Sequence, residues 1–336
     1  MREAAIALVV AAMALTPPWV RAQSQISGYV FGDYYFIVQN HRKELDGQNG
    51  FWIRRVYLTY DRKLAGTVSS RLRFEMNHPG NFSSGAATPY VKDAYLNWKF
   101  GSHQLLLGIS PSPAFAKIED IWGYRAVEKT PLDLHKIADS RDFGVALSGS
   151  LTGDQKVVYH AMVGNGTGVG AENDKGKNLM LALGLRPTPR LFAELYGARN
   201  TYSEDHSTRT LQAFVSYQTE NFRLGLQWAD YREKPRLANE RIRIASGFGV
   251  VRLGENLFAL ARVDRLLDPN RNGDRISYLP FDPLAKSTLL ILGLDWGRSS
   301  TVRFLPNVEI IRYDKRPSGV RPRMDVVGRL TLYFSL

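Results

Sequence analysis

Apolar and polar residues alternate with a period of two in sixteen short segments that run through this chain. In the segment 176–186, Leu179, Leu181, Leu183 and Leu185 occupy one parity, while smaller or polar residues occupy the other. Successive side chains of a β-strand point to opposite faces, so such a strand presents one apolar face and one polar face. No segment has a helical pattern of comparable strength. The alternation therefore predicts an all-β fold, a closed transmembrane antiparallel β-barrel of about 16 strands.

The connections between these segments alternate between tight turns and longer loops. We predict strands near 26–38, 51–62, 66–78, 90–100, 103–109, 140–149, 155–163, 176–186, 190–199, 209–219, 222–232, 241–252, 255–265, 286–297, 300–313 and 323–336. The longer connections fall around 39–50, 79–89, 110–139, 164–175, 200–208, 233–240, 266–285 and 314–322. Short periplasmic turns and long external loops are typical of bacterial outer-membrane barrels.

Residues 1–22 have the pattern of a cleaved signal peptide. Arg2 supplies a basic start, residues 4–15 are a compact apolar run, and Val20-Arg21-Ala22 places small residues three and one positions before the cleavage site. The apolar run is too short to span a bilayer as an anchoring helix. We therefore predict export and cleavage before Gln23, with residues 23–336 forming the barrel.

The chain contains no cysteine and carries a formal net charge of +12. Without cysteine, disulfides and thiolate-bound metals are excluded. A basic chain favours acidic partners, but here the basic residues are spread over the strands, which argues against nucleic acid. The histidines are scattered without metal-ligand spacing, and we predict no cofactor and no metal site.

Charged residues on the parity assigned to lipid test the barrel prediction. They are Arg54, Lys92, Asp230, Arg232 and Arg312, and each lies at the loop end of its predicted strand. A charge at the bilayer midplane would cost roughly 2–4 kcal/mol, whereas a charge near the headgroups costs little. This bias favours outer-membrane lipid as the surroundings of the barrel over the alternative of a soluble exported β-protein.

Several segments resemble the phosphate/polyphosphate-selective porin family. They are Phe51-Trp-Ile-Arg-Arg-Val-Tyr-Leu, Lys92-Asp-Ala-Tyr-Leu-Asn-Trp, Ser140-Arg-Asp-Phe-Gly-Val and Asn165-Gly-Thr-Gly, the last followed by Lys177-Asn-Leu. The resemblance extends from about residue 25 to the C-terminus. It implies a sixteen-stranded channel, a homotrimer, with the third external loop folded into the lumen. It also implies that arginines and lysines guide the anion.

Basic residues outnumber acidic ones on the parity assigned to the lumen. A guanidinium is always charged and donates forked hydrogen bonds to phosphate or carboxylate, so it suits anion guidance. Alternatively, these arginines pair with acids on neighbouring strands and only solvate the wall. Arg71 with Arg73, and Arg241 with Arg243, are favoured because each pair places two like charges on one face of one strand. The predicted anion-guiding, pore-lining residues are Arg55, Arg71, Arg73, Arg223, Arg241, Arg243, Arg262, Arg303 and Arg329.

The connection 110–139 is the longest, and we expect it to fold into the lumen as a constriction. Phe115, Ile118 and Trp122 have helical spacing, which indicates a short helix that packs inward. The basic residues of this constriction loop are Lys117, Arg125, Lys129 and Lys136, and they are interspersed with acids. The mixture argues against strong phosphate selectivity at this point. Leu289 and Ile291 also point inward and indicate that something covers the wall there, which we expect to be this loop.

Together these patterns predict a porin in the outer membrane of a Gram-negative-type bacterium. Small anionic or hydrophilic solutes would diffuse passively through it, with a moderate preference for anions that could include phosphate or polyphosphate. A non-selective general porin is the alternative within this class. An outer-membrane barrel enzyme is the alternative from another class, although no local Ser, His and carboxylate signature supports it.

Overall fold

The alternating segments of the sequence form sixteen antiparallel strands that close into one barrel. The computed structural model describes residues 24–80, 82, 84–234, 240–297 and 301–336, so the predicted signal peptide 1–22 lies outside the described residues. The strands are β1 (Ser24–Gln39), β2 (Asn49–Ala65), β3 (Val68–Asn77), β4 (Thr88–Phe100), β5 (His103–Pro111), β6 (Arg141–Ser150), β7 (Val157–Gly164), β8 (Asn178–Thr188), β9 (Leu191–Ser203), β10 (His206–Gln218), β11 (Phe222–Lys234), β12 (Glu240–Arg252), β13 (Leu257–Leu266), β14 (Ser287–Trp296), β15 (Val302–Tyr313) and β16 (Asp325–Ser335). The predicted fold class and the number of strands are confirmed.

The barrel is closed by pairing between the first and last strands. Tyr29 lies opposite Ser335 near one end of the seam, and Gln39 lies opposite Val326 near the other. Every other strand pairs with its neighbours in sequence. A closed ladder leaves no edge strand, which is what a sheet surrounded by hydrocarbon requires, because no water is present there to satisfy unpaired backbone groups.

The outer face of the barrel is apolar over the middle of the strands. Leu181 and Leu183 of β8 are 44% and 45% exposed, and Leu226 of β11 is 64% exposed. Trp98 and Trp296 are exposed at the turn ends of their strands, where aromatic side chains mark a membrane interface. In a protein surrounded by water, this much contiguous apolar surface would promote aggregation.

One predicted long loop is part of a hairpin instead. The connection expected over 200–208 shrinks to residues 204–205, because β9 continues to Ser203 and β10 begins at His206. Thr201, Tyr202 and Thr208 are residues that favour strands, and the Tyr202 ring stacks on His206 at 4.5 Å. The β9–β10 hairpin therefore extends past the end of the apolar alternation.

Two β-bulges turn predicted lipid-facing charges into the lumen. The register between β1 and β2 skips Arg54, and the register between β3 and β4 skips Lys92. A bulge adds one residue to a strand and re-aims its side chain. Arg54 is buried and donates to the backbone oxygens of Ala126 and Val127, and Lys92 Nζ lies 2.8 Å from a carboxylate oxygen of Glu75. The prediction that Arg54 and Lys92 face lipid is therefore wrong.

The largest apolar core lies inside the barrel, and loops and the strands of the wall contribute to it about equally. The loop between β5 and β6, here called the inserted loop (residues 112–140), contains α1 (Ala116–Trp122) and α2 (Pro131–Leu134). The loop between β13 and β14, here called the second loop (residues 267–286), contains a 3-10 turn at Gly273–Arg275, and another such turn follows β1 at Lys43–Leu45. Among the described residues, no helix is both long and apolar enough to span a membrane.

The depth of the apolar band can be tested with a single charge. Leu183→Arg places a cation in the middle of β8 and should lower the free energy of unfolding by roughly 2–4 kcal/mol, because the charge must leave water. Val38→Arg, which is also on the outer face but at the loop end of β1, should cost about 1 kcal/mol or less. Reversible urea unfolding in lipid vesicles measures both. Equal costs for the two variants would contradict a membrane-spanning band.

Candidate pore

The inserted loop is held against the wall of the barrel by apolar side chains. Ile118 and Trp122 of α1 are about 1% exposed, and the Trp122 ring lies 5.1 Å from the ring of Phe248 on β12. Tyr124 follows the helix and donates a hydrogen bond to Asp295 on β14 (3.1 Å). Because these contacts come from β12 and β14, the loop covers that side of the lumen.

A glycine ends α1, and one of the arginines predicted to guide anions packs beside it. Gly123 takes the left-handed conformation (φ 69°) that ends the helix. A Cβ at this position would come within 2.8 Å of a guanidinium nitrogen of Arg223 on β11. That guanidinium also lies over the ring of Tyr124, 5.6 Å from its centroid. Arg223 therefore faces the lumen as predicted, but it packs against the inserted loop.

The second loop also enters the lumen, which the sequence pattern did not predict. Leu279 and Phe281 are about 1% exposed and join the same apolar cluster as Trp122, together with Leu289 and Ile291 of β14. The inward apolar parity of Leu289 and Ile291 predicted a cover made by the loop 110–139, and in the structure the second loop shares that cover with it.

A buried network of charges ties both loops to the seam of the barrel. Arg54 on β2 donates to Ala126 O (3.1 Å) and lies 3.3 Å from Asp33 on β1. Arg329 on β16 donates to Glu309 (2.8 Å) and to the backbone oxygen of Tyr278 in the second loop (2.8 Å). Removing one partner from a buried ion pair typically costs about 3–5 kcal/mol, because the other charge is left uncompensated. The network thus fixes where the loops sit.

Most of the predicted arginines on the lumen wall are paired with acids. Arg71 donates two parallel hydrogen bonds to Asp61 (2.7 and 2.8 Å), and Arg73 lies 3.5 Å from Asp93. The further pairs are Arg55–Glu75, Arg262–Asp264, Arg303–Asp295 and Arg329–Glu309. A paired guanidinium presents a smaller net field to a passing anion. These contacts correspond to the alternative interpretation, in which the arginines solvate the wall.

Arg241 and Arg243 are not in the lumen. Buried residues of β12 have the opposite parity, for example Ile242, Ile244 and Phe248, and they pack on the inserted loop and its neighbours. Arg241 bonds to Asp230 on the outer face of β11, and Arg243 bonds to Asp268 at the loop end (2.8 Å). The predicted pore-lining role of both is wrong, because on β12 the apolar parity faces inward.

The basic residues of the inserted loop are compensated within the lumen. Arg125 lies 3.3 Å from Glu119 and 3.4 Å from Asp133, and Lys129 lies 3.8 Å from Asp133. Burial alone would raise the pKa of Asp133, but the cations Lys129, Arg125 and Arg55 outweigh it and hold the pKa at about 2. Burial lowers the pKa of Lys129 to about 8. These contacts anchor the loop and leave little unbalanced charge at this point.

The two remaining predicted basic residues of the inserted loop lie at its edges. Lys117 is half exposed and lies 3.9 Å from Asp120 on the same helix. Lys136 donates a hydrogen bond to the backbone oxygen of Arg275 in the second loop (2.8 Å). Lys136 therefore joins the two loops, whereas Lys117 points toward open space.

That open space is a cavity of about 560 Å³ between the inserted loop and the wall formed by β4–β9. Its charged lining consists of Lys99 on β4, Lys117, Asp120, Arg186 on β8 and Glu194 on β9. Within the described part of the chain, neither Lys99 nor Arg186 has an acid within 4.0 Å, whereas the predicted guiding arginines Arg71 and Arg73 do. Strand register explains why Lys99 lacks an acidic partner. Lys99 lies opposite the neutral Gln104, whereas Arg71 lies opposite Asp61.

A closed barrel of sixteen antiparallel strands is the fold of the porins. Solved structures with this fold include an anion-selective porin from Comamonas acidovorans, 12% identical over 94% of this chain and 100% of that chain, with a TM-score of 0.70. OmpF of Salmonella typhi in complex with daunomycin is 11% identical over 94% of this chain and 98% of that chain (TM-score 0.67). OmpT of Vibrio cholerae, solved in a trimer form, is 11% identical over 94% and 99% of the two chains (TM-score 0.62).

At these identities the likeness establishes the fold. No protein-family model and no curated relative matches the chain, so the finer resemblance to phosphate-selective porins rests on the sequence segments quoted above.

The docking of the inserted loop should weaken in acid because of His135. This residue is 3% exposed at the end of α2, its ring lies 5.0 Å from that of Phe281, and burial lowers its pKa to about 4. A depressed histidine pKa means that the docked state is fully favoured above the ordinary value of 6.5. The preference falls as the pH drops from 6.5 to 4, by an amount on the order of 3 kcal/mol at most.

Limited proteolysis of the inserted loop at pH 7, 5 and 4 measures this effect. We expect cleavage within residues 112–140 to rise over that range in the wild type. His135→Phe keeps a buried ring without a titrating group and should remove most of the rise. An unchanged acid response in His135→Phe would assign the effect to other groups.

Proposed function

We propose that this protein is an outer-membrane channel through which small hydrophilic solutes diffuse passively, with a moderate preference for anions. The observation that supports this proposal is the cavity between the inserted loop and the wall of β4–β9, which charged side chains line and which lies inside a barrel with an apolar exterior. A barrel of this kind needs no catalytic group to pass solutes, and we propose no enzymatic role. The porin fold of proteins described as an anion-selective porin and as an outer-membrane channel supports the proposal.

The anion preference is assigned to cations that lack a partner of opposite charge. Lys99 and Arg186 line the cavity without an acid within 4.0 Å in the described part of the chain, whereas Lys117, which also lines it, lies 3.9 Å from Asp120. Lys99 is exposed, and the guanidinium of Arg186 lies over the ring of Phe192 (5.4 Å to the centroid), which leaves its donors free for a solute. Phosphate and carboxylate solutes suit such donors because a guanidinium can bind either one bidentately.

A general porin with little selectivity is the second candidate, and one observation favours it. Six predicted guiding arginines of the lumen wall form ion pairs with carboxylates, namely Arg55, Arg71, Arg73, Arg262, Arg303 and Arg329, so the wall is close to electrically balanced there. Under this candidate the cavity would filter solutes by size alone.

Reconstitution in a planar bilayer under a salt gradient tests the channel and its selectivity together. The wild type should conduct, with a reversal potential that favours anions. Lys99→Gln with Arg186→Gln should lower the anion-over-cation permeability ratio by roughly twofold or more, because the pore loses its unpaired cations.

Lys315→Gln with Arg321→Gln is the matched control. Both residues are exposed in an external loop, so the net charge changes equally without touching the cavity. No conductance in the wild type would contradict the channel. Equal reversal potentials for the two double variants would leave a general porin.

We further propose a homotrimer that associates through the outer face of β1 and β2. At the loop end of these strands the outer face is apolar and exposed: Phe36, Val38, Phe51 and Ile53 are between 43% and 86% exposed. A trimer form of OmpT from Vibrio cholerae, which has the same fold, supports this assembly.

A charge placed on that face should separate the subunits. Phe51→Lys should yield monomers, whereas Ile310→Lys, at similar depth on β15, should leave the trimer intact. Native mass spectrometry in detergent distinguishes these outcomes. Trimers of both variants would place the interface elsewhere.

A further inference from the structure

Four arginines form a continuous row on the outer face of β9–β12. Arg199 lies opposite Arg209, Arg209 opposite Arg232, and Arg232 opposite Arg241. With neighbouring strands about 4.8 Å apart, this arginine row spans about 14 Å. Like charges that lie directly opposite each other on adjacent strands are destabilising, so the fold alone gives no reason for this arrangement.

The arginine row is not balanced by acids of the protein. Arg232 and Arg241 share the carboxylate of Asp230, which lies two residues nearer the membrane on the same face of β11. In the described part of the chain, no carboxylate lies within 4.0 Å of Arg199 or Arg209. Residues 235–239, which follow β11, contain no Asp or Glu. Half of the row therefore has no counter-charge.

An apolar groove begins directly beneath the row. It has a volume of about 680 Å³ and runs along the outer face of β7–β10. Val163, Leu179, Leu181 and Leu211 form its sides, and Gly197 forms part of its floor. Its loop-end rim is made by Arg199, Arg209, Arg232 and Lys234. The surface thus combines an apolar groove with a cationic rim.

The position of the row coincides with the end of the lipid-facing pattern. The apolar alternation of β9 and β10 stops at Arg199 and Arg209, and the β9–β10 hairpin continues beyond them. On β11 and β12 it stops two residues nearer the membrane, at Asp230 and Arg243, which lie opposite each other. This is the depth at which lipid headgroups meet the barrel. On the opposite side, the loop ends of β1 and β2 are apolar at the same level, with Phe51 86% exposed. The cationic surface is therefore local.

We propose that the arginine row and the groove bind a lipid that carries at least two phosphate groups in the surrounding leaflet. Guanidinium forks donate to the phosphates, and Arg199 and Arg209 supply the unpaired charge. An acyl chain lies in the groove over Gly197, where any larger side chain would fill the space. A row about 14 Å long suits two phosphates of one molecule better than one.

The experiment uses purified protein in non-ionic detergent and bis-phosphorylated lipid A as the probe. Bound lipid should raise the melting temperature, and at a fixed lipid concentration the rise increases with the logarithm of the affinity. Arg199→Gln with Arg209→Gln should lower the apparent affinity at least tenfold. Without lipid, this variant should melt at or above the wild-type temperature, because opposed like charges have been removed. That measurement separates loss of binding from loss of folding.

Two controls assign the effect to the row and to the groove. Lys63→Gln with Arg190→Gln removes the same charge at the turn end of the barrel and should bind lipid A as the wild type does. Gly197→Leu keeps every arginine but fills the groove, and it should also weaken the binding of lipid A. Inorganic phosphate at the same concentration should leave the melting temperature unchanged.

Several results would overturn the proposal. Equal binding by Arg199→Gln/Arg209→Gln and wild type would remove the row from any lipid site. Equal stabilisation by inorganic phosphate would show that the acyl chain does not contribute to binding. Equal stabilisation by mono-phosphorylated lipid A would show that the second phosphate is not required. Loss of the oligomer in the double variant would make the row a contact between subunits. Conductance should be unchanged throughout, so failure here does not affect the proposed channel.

Discussion

Closure of the sheet by the β1–β16 pairing is the constraint on which the remaining features depend. In hydrocarbon, each unsatisfied backbone group costs several kcal/mol, so a sheet can lie in a bilayer only when its last strand returns to its first. Closure then divides the side chains of every strand between an outer and an inner face. Because closure imposes this division on all sixteen strands, a change of parity on one strand moves a charged side chain from the lumen to the lipid-facing surface.

The loops inside the lumen fill space that the side chains of the wall cannot fill. A sixteen-stranded barrel is too wide for its wall side chains to fill, so the inserted loop and the second loop cover one side with Trp122, Leu279 and Phe281. Buried ion pairs such as Arg54–Asp33 and Arg329–Glu309 add little net stability, because desolvation opposes their attraction. Their effect is positional, since both arginines also bind backbone oxygens of the loops. The open path is whatever these loops leave uncovered.

The fold could be predicted from the sequence because alternation and turn chemistry repeat in every strand. The site could not, because it depends on which residues lie opposite one another. Pairing of Arg71 with Asp61 and of Arg73 with Asp93 follows from strand register, and one bulge beside Arg54 is enough to reverse a side chain. On β12, Ile242 and Ile244 face inward because the inserted loop covers them, so the apolar parity no longer marks the lipid side. A contact between distant segments cannot be read from one strand alone.

The net charge of +12 therefore does not describe the pore. Inside the barrel, cations such as Arg71 and Arg262 are held by carboxylates that the strands place beside them. On the outer face at the loop end, Arg199 and Arg209 are left without such partners in the described part of the chain. Opposed like charges repel one another, so an anion of the surroundings would stabilise this row. In the functions we propose, Arg199 and Arg209 face the lipid, and selectivity in the lumen depends on a few residues such as Lys99 and Arg186.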